Sequence, residues 1–227
     1  MSDNCNLKQE IITRLQDDAR RFLTHTKIVL KGIDIIPKEI EVYYFKDHVF
    51  MDNSVHQNVL QTGKNHNHFY VHRWGISQSD SYKGGNYPGI DIVVSTDESV
   101  FYSYLIRSAV INEHLVVGPH KVLENIQNET NLSYNDIEKE TLKLEPNIIL
   151  KDVLFSKRIN LGKTVLEEYK DCMLRAVICD DLFIDKESKY PKKEEMITNF
   201  LSNANMTKEE ALCYAKKHLG YIPSSVK

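Results

Sequence analysis

Residues Lys38 to His56 read KEIEVYYFKDHVFMDNSVH, and the first half of this stretch alternates in polarity as a β-strand does. One face of the predicted strand carries Ile40, Val42 and Tyr44. The opposite face carries Glu39, Glu41 and Tyr43. Glutamate is depleted in strands, so two glutamates among residues that could fill a core are a local inconsistency of the kind found at functional sites. The alternative interpretation is a solvent-facing polar stripe on an ordinary antiparallel strand.

The bulk composition bounds the class of protein. The chain has 227 residues, of which 41% are hydrophobic and 27% charged, and this is enough for a globular core that needs no disulfides or metals. No apolar run approaches the roughly 18 residues that a membrane span requires, and the first residues lack the basic and apolar regions of a secretory signal. We therefore expect a cytosolic protein without a membrane partner, associated with the nucleoid in a bacterium or nuclear in a eukaryote.

Neither the cysteines nor the net charge assign a chemistry. The absence of CxxC spacing predicts reduced, mostly buried thiols at Cys5, Cys172, Cys179 and Cys213. The formal net charge of −3 does not point to a nucleic-acid ligand, because phosphate binding needs a basic face. A local basic cluster can still act within a neutral total.

Hydrophobic periodicity, capping residues and turn residues predict the elements of an α+β fold. Helices or helical turns are expected at Leu7 to about Thr24, from Pro119, after Ser133, at Leu166 to Tyr169, at Lys193 to Leu201 and at Thr207 to Gly220. The helix from Pro119 has Val122, Leu123 and Ile126 as its apolar face. Asp136 completes a cap with Ser133, and Glu210 completes one with Thr207. Strands are expected at Lys27 to Leu30, around Ile40 to Tyr44, at His68 to Trp74, Ile90 to Ser95, Val100 to Asn112, Pro146 to Phe155 and Met173 to Cys179, with a loop from Ser77 to Gly89.

These elements predict one α+β domain, residues 1–180, built on a curved, mainly antiparallel β-sheet flanked by helices. Residues 181–227 are expected to form a helical C-terminal extension packed on that domain.

Seven short motifs follow one another in a fixed order along the chain. They are Glu39-Ile-Glu41-Val-Tyr43, Asp52-Asn-Ser-Val-His56, Phe69-Tyr70-Val-His72, Leu105-Ile-Arg107, Gly118-Pro-His-Lys121-Val, Arg158-Ile-Asn-Leu-Gly162 and Leu174-Arg175. In this order they resemble the alkyladenine (3-methyladenine) DNA glycosylase family. The resemblance covers roughly residues 15 to 180, and it lies in the order and spacing of the motifs because no single one is specific.

The resemblance implies base excision repair: an enzyme that flips a damaged base out of duplex DNA and hydrolyses its glycosidic bond without a cofactor. Glu41 would be the general base, and Arg107, with the backbone carbonyl near Ile159, would hold Glu41 and the attacking water. Tyr43 and His56 would form the two faces of the base slot, with Tyr70 and His72 beside them. Electron-rich rings suit an alkylated purine because that base is cationic. We expect a monomer.

The chain departs from the family pattern in its pocket and its wedge. Asp91 stands where the family has an Asn that discriminates among purines, and His72 replaces a tyrosine. The tyrosine that fills the gap left by the flipped base has two candidates, Tyr82 and Tyr87, and the alternative is that both are only loop residues. Basic candidates for contact with DNA phosphates are Arg73, Lys83, Lys121, Lys157, Arg158 and Lys163.

Two other functions stay open. Histidines at positions 66, 68 and 72 fall on one strand face, and with Glu41 and His56 nearby they would suit Zn²⁺ or Fe²⁺, although nine histidines in the chain will cluster somewhere by chance. The third possibility is a relative that keeps the fold and binds nucleic acid or a nucleotide without hydrolysing it.

Overall fold

The structure, a computed structural model, describes residues 2–72, 88–178, 198, 201, 206–224 and 226. Its strands, numbered in chain order, are β1 Thr26–Leu30, β2 Ile33–Lys46, β3 Phe50–Met51, β4 Phe69–His72, β5 Gly89–Val93, β6 Val100–Ile111, β7 His114–Val117, β8 Lys143–Pro146, β9 Val153–Ser156 and β10 Arg175–Ile178. Its helices are α1 Ser2–His25, α2 Pro119–Thr130, α3 Tyr134–Lys139, α4 Glu167–Lys170 and α5 Lys208–Leu219, with 3₁₀ turns at Val59–Gln61 and Gly63–Asn65.

One open, curved and mostly antiparallel sheet holds these strands together. Its main path runs β4-β5-β6-β2-β1-β8, and β3 and β10 also pair with β2, β7 with β6 and β9 with β10. The long strand β2 is the centre of the sheet, since its start pairs with β1, its middle with β10 and its end with β3. The α+β class and the antiparallel sheet predicted from the sequence are confirmed.

One face of β2 is buried under the N-terminal helix. Ile40 and Val42 are fully buried, as the alternation predicted. The residues that α1 places in the same core recur at helical spacing: Ile11, Ile12, Leu15, Ala19, Phe22 and Leu23. Side chains of the opposite parity on β2 therefore lie on the other face of the sheet, away from α1.

Helix α2 begins close against the second face of the sheet, at β5 and β6. Gly89 permits this approach, because a Cβ there would stand 3.1 Å from Leu105 Cδ1 and 3.5 Å from Pro119 Cβ. The first turn of α2, with Lys121, is thus placed beside the polar side chains of the sheet.

One predicted strand is wrong. The stretch from Pro146 to Phe155 is divided between β8 and β9, and residues 147–152 lie outside any strand. The amides of Asn147 and Ile149 donate to the carbonyls of His25 and Thr24 at the end of α1, 2.9 and 2.8 Å away. These bonds satisfy the last carbonyls of the helix instead of extending a ladder, and they leave Leu150 exposed.

The predicted helix caps are confirmed. The hydroxyl of Ser133 accepts from the Asp136 amide at the start of α3, and Thr207 and Glu210 form a reciprocal capping box at α5, which ends at Gly220. Buried Leu201 and Ala215 pack against Leu154 and Val177 on the sheet. Most of the predicted helix from Lys193 to Leu201 lies outside the described residues, and the domain boundary at residue 180 stays a prediction.

Among the residues that the structure describes, no helix is both long and apolar enough to cross a membrane.

The packing of α1 predicts an unequal response to two leucine truncations in one helix. Leu15→Ala removes a fully buried side chain and should lower the free energy of unfolding by about 2–5 kcal/mol. Leu7→Ala, at a position 44% exposed, should change it by about 0.5 kcal/mol. Urea denaturation measures both, and equal losses would show that α1 is not docked through Leu15.

Candidate functional site

A row of five residues crosses the face of the sheet opposite α1. Tyr70 pairs with Asp91, Asp91 with Leu105, Leu105 with Glu41 and Glu41 with Arg175. Directly opposed side chains on one face are neighbours, so the register of β4, β5, β6, β2 and β10 brings together residues far apart in the chain. This row is the floor of the candidate site.

Glu39 is buried between two arginines. Its Oε1 accepts from Arg107 Nε at 3.1 Å and Arg175 Nε at 2.7 Å, and its Oε2 accepts from Ser108 Oγ at 2.8 Å. Burial alone would raise the pKa of Glu39, but the positive charges of Arg175 and Arg107 outweigh it and hold this pKa below its ordinary value of 4.5. The alternative of a solvent-facing stripe is therefore wrong for this face of β2.

Glu41 is also buried, and its carboxylate accepts two hydrogen bonds and forms one ion pair. Ile159 N–H donates to Oε1 at 2.9 Å, Arg107 Nη1 lies 3.4 Å from the same oxygen, and Tyr43 O–H donates to Oε2 at 3.0 Å. Burial, together with the nearby Glu41 charge, raises the pKa of Tyr43 well above its usual range, so its hydroxyl keeps its proton. The amide of Ile159, rather than its carbonyl, contacts Glu41.

The ladder between β2 and β6 shifts register on both sides of Glu39. Such irregularities re-aim side chains next to sites. Here the shift lies beside Arg107, whose guanidinium reaches both Glu39 and Glu41.

A cleft of about 1150 Å³ opens above this floor. Predicted site residues that line it are Glu41, Tyr43, His56, His72, Arg107, Lys121 and Ile159. A smaller groove of about 600 Å³ lies between α1 and β9, and its described lining includes none of the predicted site residues. The larger cleft is therefore the candidate functional site.

Three aromatic rings pack together at one end of the cleft. The ring centroids of His56 and His72 are 4.4 Å apart, and that of Tyr70 is 5.0 Å from His72. The Tyr70 hydroxyl and His56 Nδ1 are 3.0 Å apart. Tyr70 is buried and does not line the cleft, so it supports the two histidines from below instead of meeting a ligand.

Asp91 lies beneath the cleft surface rather than on it. Its Oδ2 accepts from Ser103 Oγ at 2.7 Å and Gln61 Nε2 at 3.3 Å, and its Oδ1 lies 2.7 Å from His72 Nε2. The prediction that Asp91 itself meets the base is therefore corrected, because these groups cover its fully buried carboxylate. Its effect on a ligand must pass through the two side chains that contact it and line the cleft, His72 and Gln61.

Arg158 is buried, so its predicted contact with DNA is wrong. Its guanidinium lies 2.7 Å from Asp52 with both side chains fully buried, and it donates to the carbonyls of Val42 and Tyr169. The same guanidinium lies 4.9 Å from the ring centroid of Tyr43. Arg158 thus supports the Tyr43 side of the cleft from within.

Of the remaining predicted DNA contacts, two lie at or beside the cleft, one is in an ion pair, and four lie outside the described residues. Lys121 is exposed on the cleft rim, and Lys163 is exposed between Gly162 and Thr164, which line the cleft. Lys157 forms an ion pair with Asp171 at 2.7 Å. Four candidates lie outside the described residues: Arg73, Tyr82, Lys83 and Tyr87.

The histidines of the metal hypothesis have separate partners. His66 Nδ1 lies 2.9 Å from the Ser95 carbonyl oxygen, and His68 Nε2 lies 3.1 Å from the Thr141 hydroxyl. In the described part of the chain, no three His, Cys, Asp or Glu side chains are arranged to hold a metal ion.

Sequence reasoning gave no role to several residues that complete the site. They are Gln61, Ser103, Ser108 and Arg175. The alternation of β6 places Ser103 on the same face as Arg107, but only the strand register shows which carboxylate each of these side chains meets.

No protein-family model matches this chain, and no curated protein matches it at a significant level. What the cleft does must be inferred from its own residues.

The buried position of Glu39 predicts an acid-dependent loss of stability. Because its folded pKa is lowered, its contribution is fully present above the unfolded value of 4.5 and is lost as pH falls through the folded pKa. Glu39→Gln should lower the free energy of unfolding at neutral pH by about 3 kcal/mol and flatten its decline in acid.

Urea unfolding at a series of pH values measures this difference. Glu98→Gln, on an exposed turn, is the matched control and should follow the wild type. Parallel pH profiles for the wild type and Glu39→Gln would contradict the assignment.

Proposed function

We propose that this protein is a DNA glycosylase-like hydrolase that excises alkylated purines of the 3-methyladenine type after the damaged nucleotide is flipped into the cleft. The observation that carries the proposal is the Glu41 carboxylate at the cleft floor. A carboxylate has about four acceptor positions, and hydrogen bonds from Tyr43 and Ile159 occupy two of them, while Arg107 Nη1 lies 3.4 Å from Oε1. We propose that a water molecule entering from the cleft uses a remaining position, where Glu41 can deprotonate it.

The chemistry needs one base and one good leaving group. Water attacks the sugar C1′ while Glu41 takes its proton, and the C1′–N bond breaks with its electron pair passing to the base. An alkylated purine leaves readily because it is cationic and departs neutral. The chain's own residues supply this reaction without a cofactor.

Arg107 is proposed to position Glu41. Its Nη1 faces Glu41, while its Nε is held by Glu39, which Arg175 also contacts. A guanidinium fixed at two points keeps the carboxylate in one orientation, which is what a general base needs.

Tyr43 and His56 are proposed to contact the faces of the flipped base. Both line the cleft, and their π-electrons attract a cationic ring. Arg158 lies against Tyr43, but its charge is paired with Asp52 and so does not oppose a cation in the cleft.

The partner is proposed to be damaged double-stranded DNA. Lys121 on the first turn of α2 combines a positive side chain with the positive end of a helix dipole, and both favour phosphate. Lys163 is exposed between two residues that line the cleft, Gly162 and Thr164. Whether Tyr82 or Tyr87 fills the gap in the duplex stays a prediction.

A second candidate function is binding of nucleic acid or a nucleotide without hydrolysis. The observation that favours it is that the Glu41 side chain has 0% exposed surface, so a water must enter with the ligand or from the cleft to reach it.

Replacement of Glu41 separates the two functions. Wild type should release 3-methyladenine or hypoxanthine from damaged duplex DNA in chelator-treated buffer. Glu41→Gln should lower the release rate by at least about 10²- to 10⁴-fold, because the general base is lost, and leave duplex binding nearly unchanged. Chromatography of released bases and a fluorescence anisotropy titration provide the two measurements.

Glu124→Gln, exposed on α2, is the matched control and should retain activity. Release by Glu41→Gln at the wild-type rate would contradict the proposed mechanism. Binding without release by the wild type would favour the second candidate.

The proposed phosphate contact at Lys121 can be tested through the salt dependence of duplex binding. Lys121→Ala should weaken duplex binding and reduce the slope of log K against log salt concentration by about 1, since one phosphate contact is lost. Lys139→Ala, exposed on α3, is the control. An unchanged slope in Lys121→Ala would place the DNA elsewhere.

A further inference from the structure

Asp91 contacts an imidazole, whereas Glu39 and Asp52, two other buried carboxylates around the cleft, contact guanidinium groups. Glu39 meets two arginines and Asp52 meets Arg158. Within the described residues, the only basic side chain that contacts Asp91 is His72. A buried carboxylate without a guanidinium or ammonium partner depends strongly on its hydrogen-bond donors.

The contact with Asp91 fixes the orientation of the His72 ring. Asp91 already accepts from Ser103 and Gln61, and an ionised carboxylate can only accept, so His72 Nε2 carries a hydrogen and donates. In the neutral ring, Nδ1 then carries a lone pair. A buried hydrogen-bonded carboxylate thus selects one tautomer of the imidazole above it.

The His72 side chain borders the cleft. His72 lines the cleft, its side chain is 16% exposed, and Nδ1 has no hydrogen-bond partner in the described part of the chain. Its ring neighbours do not use Nδ1, since the Tyr70 hydroxyl lies against His56 Nδ1 instead. Nδ1 of His72 is therefore an acceptor available to a ligand.

The strand register separates Glu41 from Asp91, the hydrogen-bond partner of His72. Asp91 pairs with Leu105, and Leu105 pairs with Glu41, so Asp91 and Glu41 are two strand spacings apart, about 9.6 Å. A flipped nucleotide with its sugar C1′ at Glu41 and its base directed along this row toward Asp91 would place the edge opposite the glycosidic bond, which in adenine carries the 6-amino group, beside His72.

We infer that His72, oriented by Asp91, is a specificity-determining residue that accepts a hydrogen bond from the 6-amino group of an adenine-type base. The cleft therefore selects 6-aminopurines over purines of the same shape that lack a donor on this edge. This inference rests on the proposed function for the identity of the occupant as a purine base.

Binding of free bases tests the inference without requiring catalysis. Adenine and 6-methylpurine differ by an amino group in place of a methyl group of similar size. Wild type should bind adenine about tenfold more tightly in isothermal titration calorimetry, the value of one hydrogen bond to an otherwise unpaired acceptor. In His72→Phe, which keeps a ring against His56 and Tyr70, the ratio should fall to about one.

His68→Phe is the matched control. His68 directly precedes β4 and is not among the residues that line the cleft. It should keep the wild-type ratio. Equal binding of the two bases by the wild type, no measurable binding of either, or an unchanged ratio in His72→Phe would overturn the inference.

Nitrogen NMR of the wild type provides a measurement that does not depend on the folding of a variant. The His72 resonances should show a protonated Nε2 and an unprotonated Nδ1. A proton on Nδ1 would overturn the inference. Failure of the proposed function is distinguishable, because it would appear as absent base release even where adenine is preferred in binding.

Discussion

The contact on which the sheet depends is the Glu39 carboxylate held between Arg107 and Arg175. It joins the middle of β2 to both of its neighbours, β6 and β10, through side chains that are almost completely buried. Removing one partner from such a group leaves an uncompensated buried charge, which costs more than the pair contributes. Glu39 therefore fixes where Arg107 stands, and Arg107 in turn contacts the buried Glu41 carboxylate at the floor of the cleft.

The same arrangement recurs on both sides of the floor. Asp52 holds Arg158 behind Tyr43, and Asp91 holds His72 beside His56. In each case a fully buried acid orients the side chain that supports or forms a wall of the cleft. Side chains that are already held in one orientation are pre-organised. Ligand binding therefore does not lose free energy to ordering them.

The alternation of residues 38–44 was sufficient to predict which face of β2 is core and which carries Glu41 and Tyr43, because the period of a strand is a local property. The partners of Glu39 were not predictable in this way, since Arg175 reaches it only through the pairing of β10 with β2. Arg158 was misassigned because the sequence shows that this residue is basic but not that it is buried. Its burial against Asp52 depends on the tertiary structure, because the two residues are far apart in the chain. Asp91 was placed in the base pocket by the family resemblance, but the side chains that cover it come from three other segments.

The distribution of paired charges bears on what the cleft favours. Glu39 and Asp52 are each met by guanidinium nitrogens at 2.7 Å, whereas Glu41 lies 3.4 Å from its nearest guanidinium nitrogen and Asp91 relies on an imidazole. The least compensated carboxylates are thus Asp91 and Glu41, which lie on either side of Leu105 in the row of the cleft floor. In the proposed reaction, a ligand with delocalised positive charge would be attracted by both carboxylates, and it would lose that charge when its glycosidic bond breaks. The same distribution would therefore favour a cationic purine on entry and hold the neutral base that leaves more weakly.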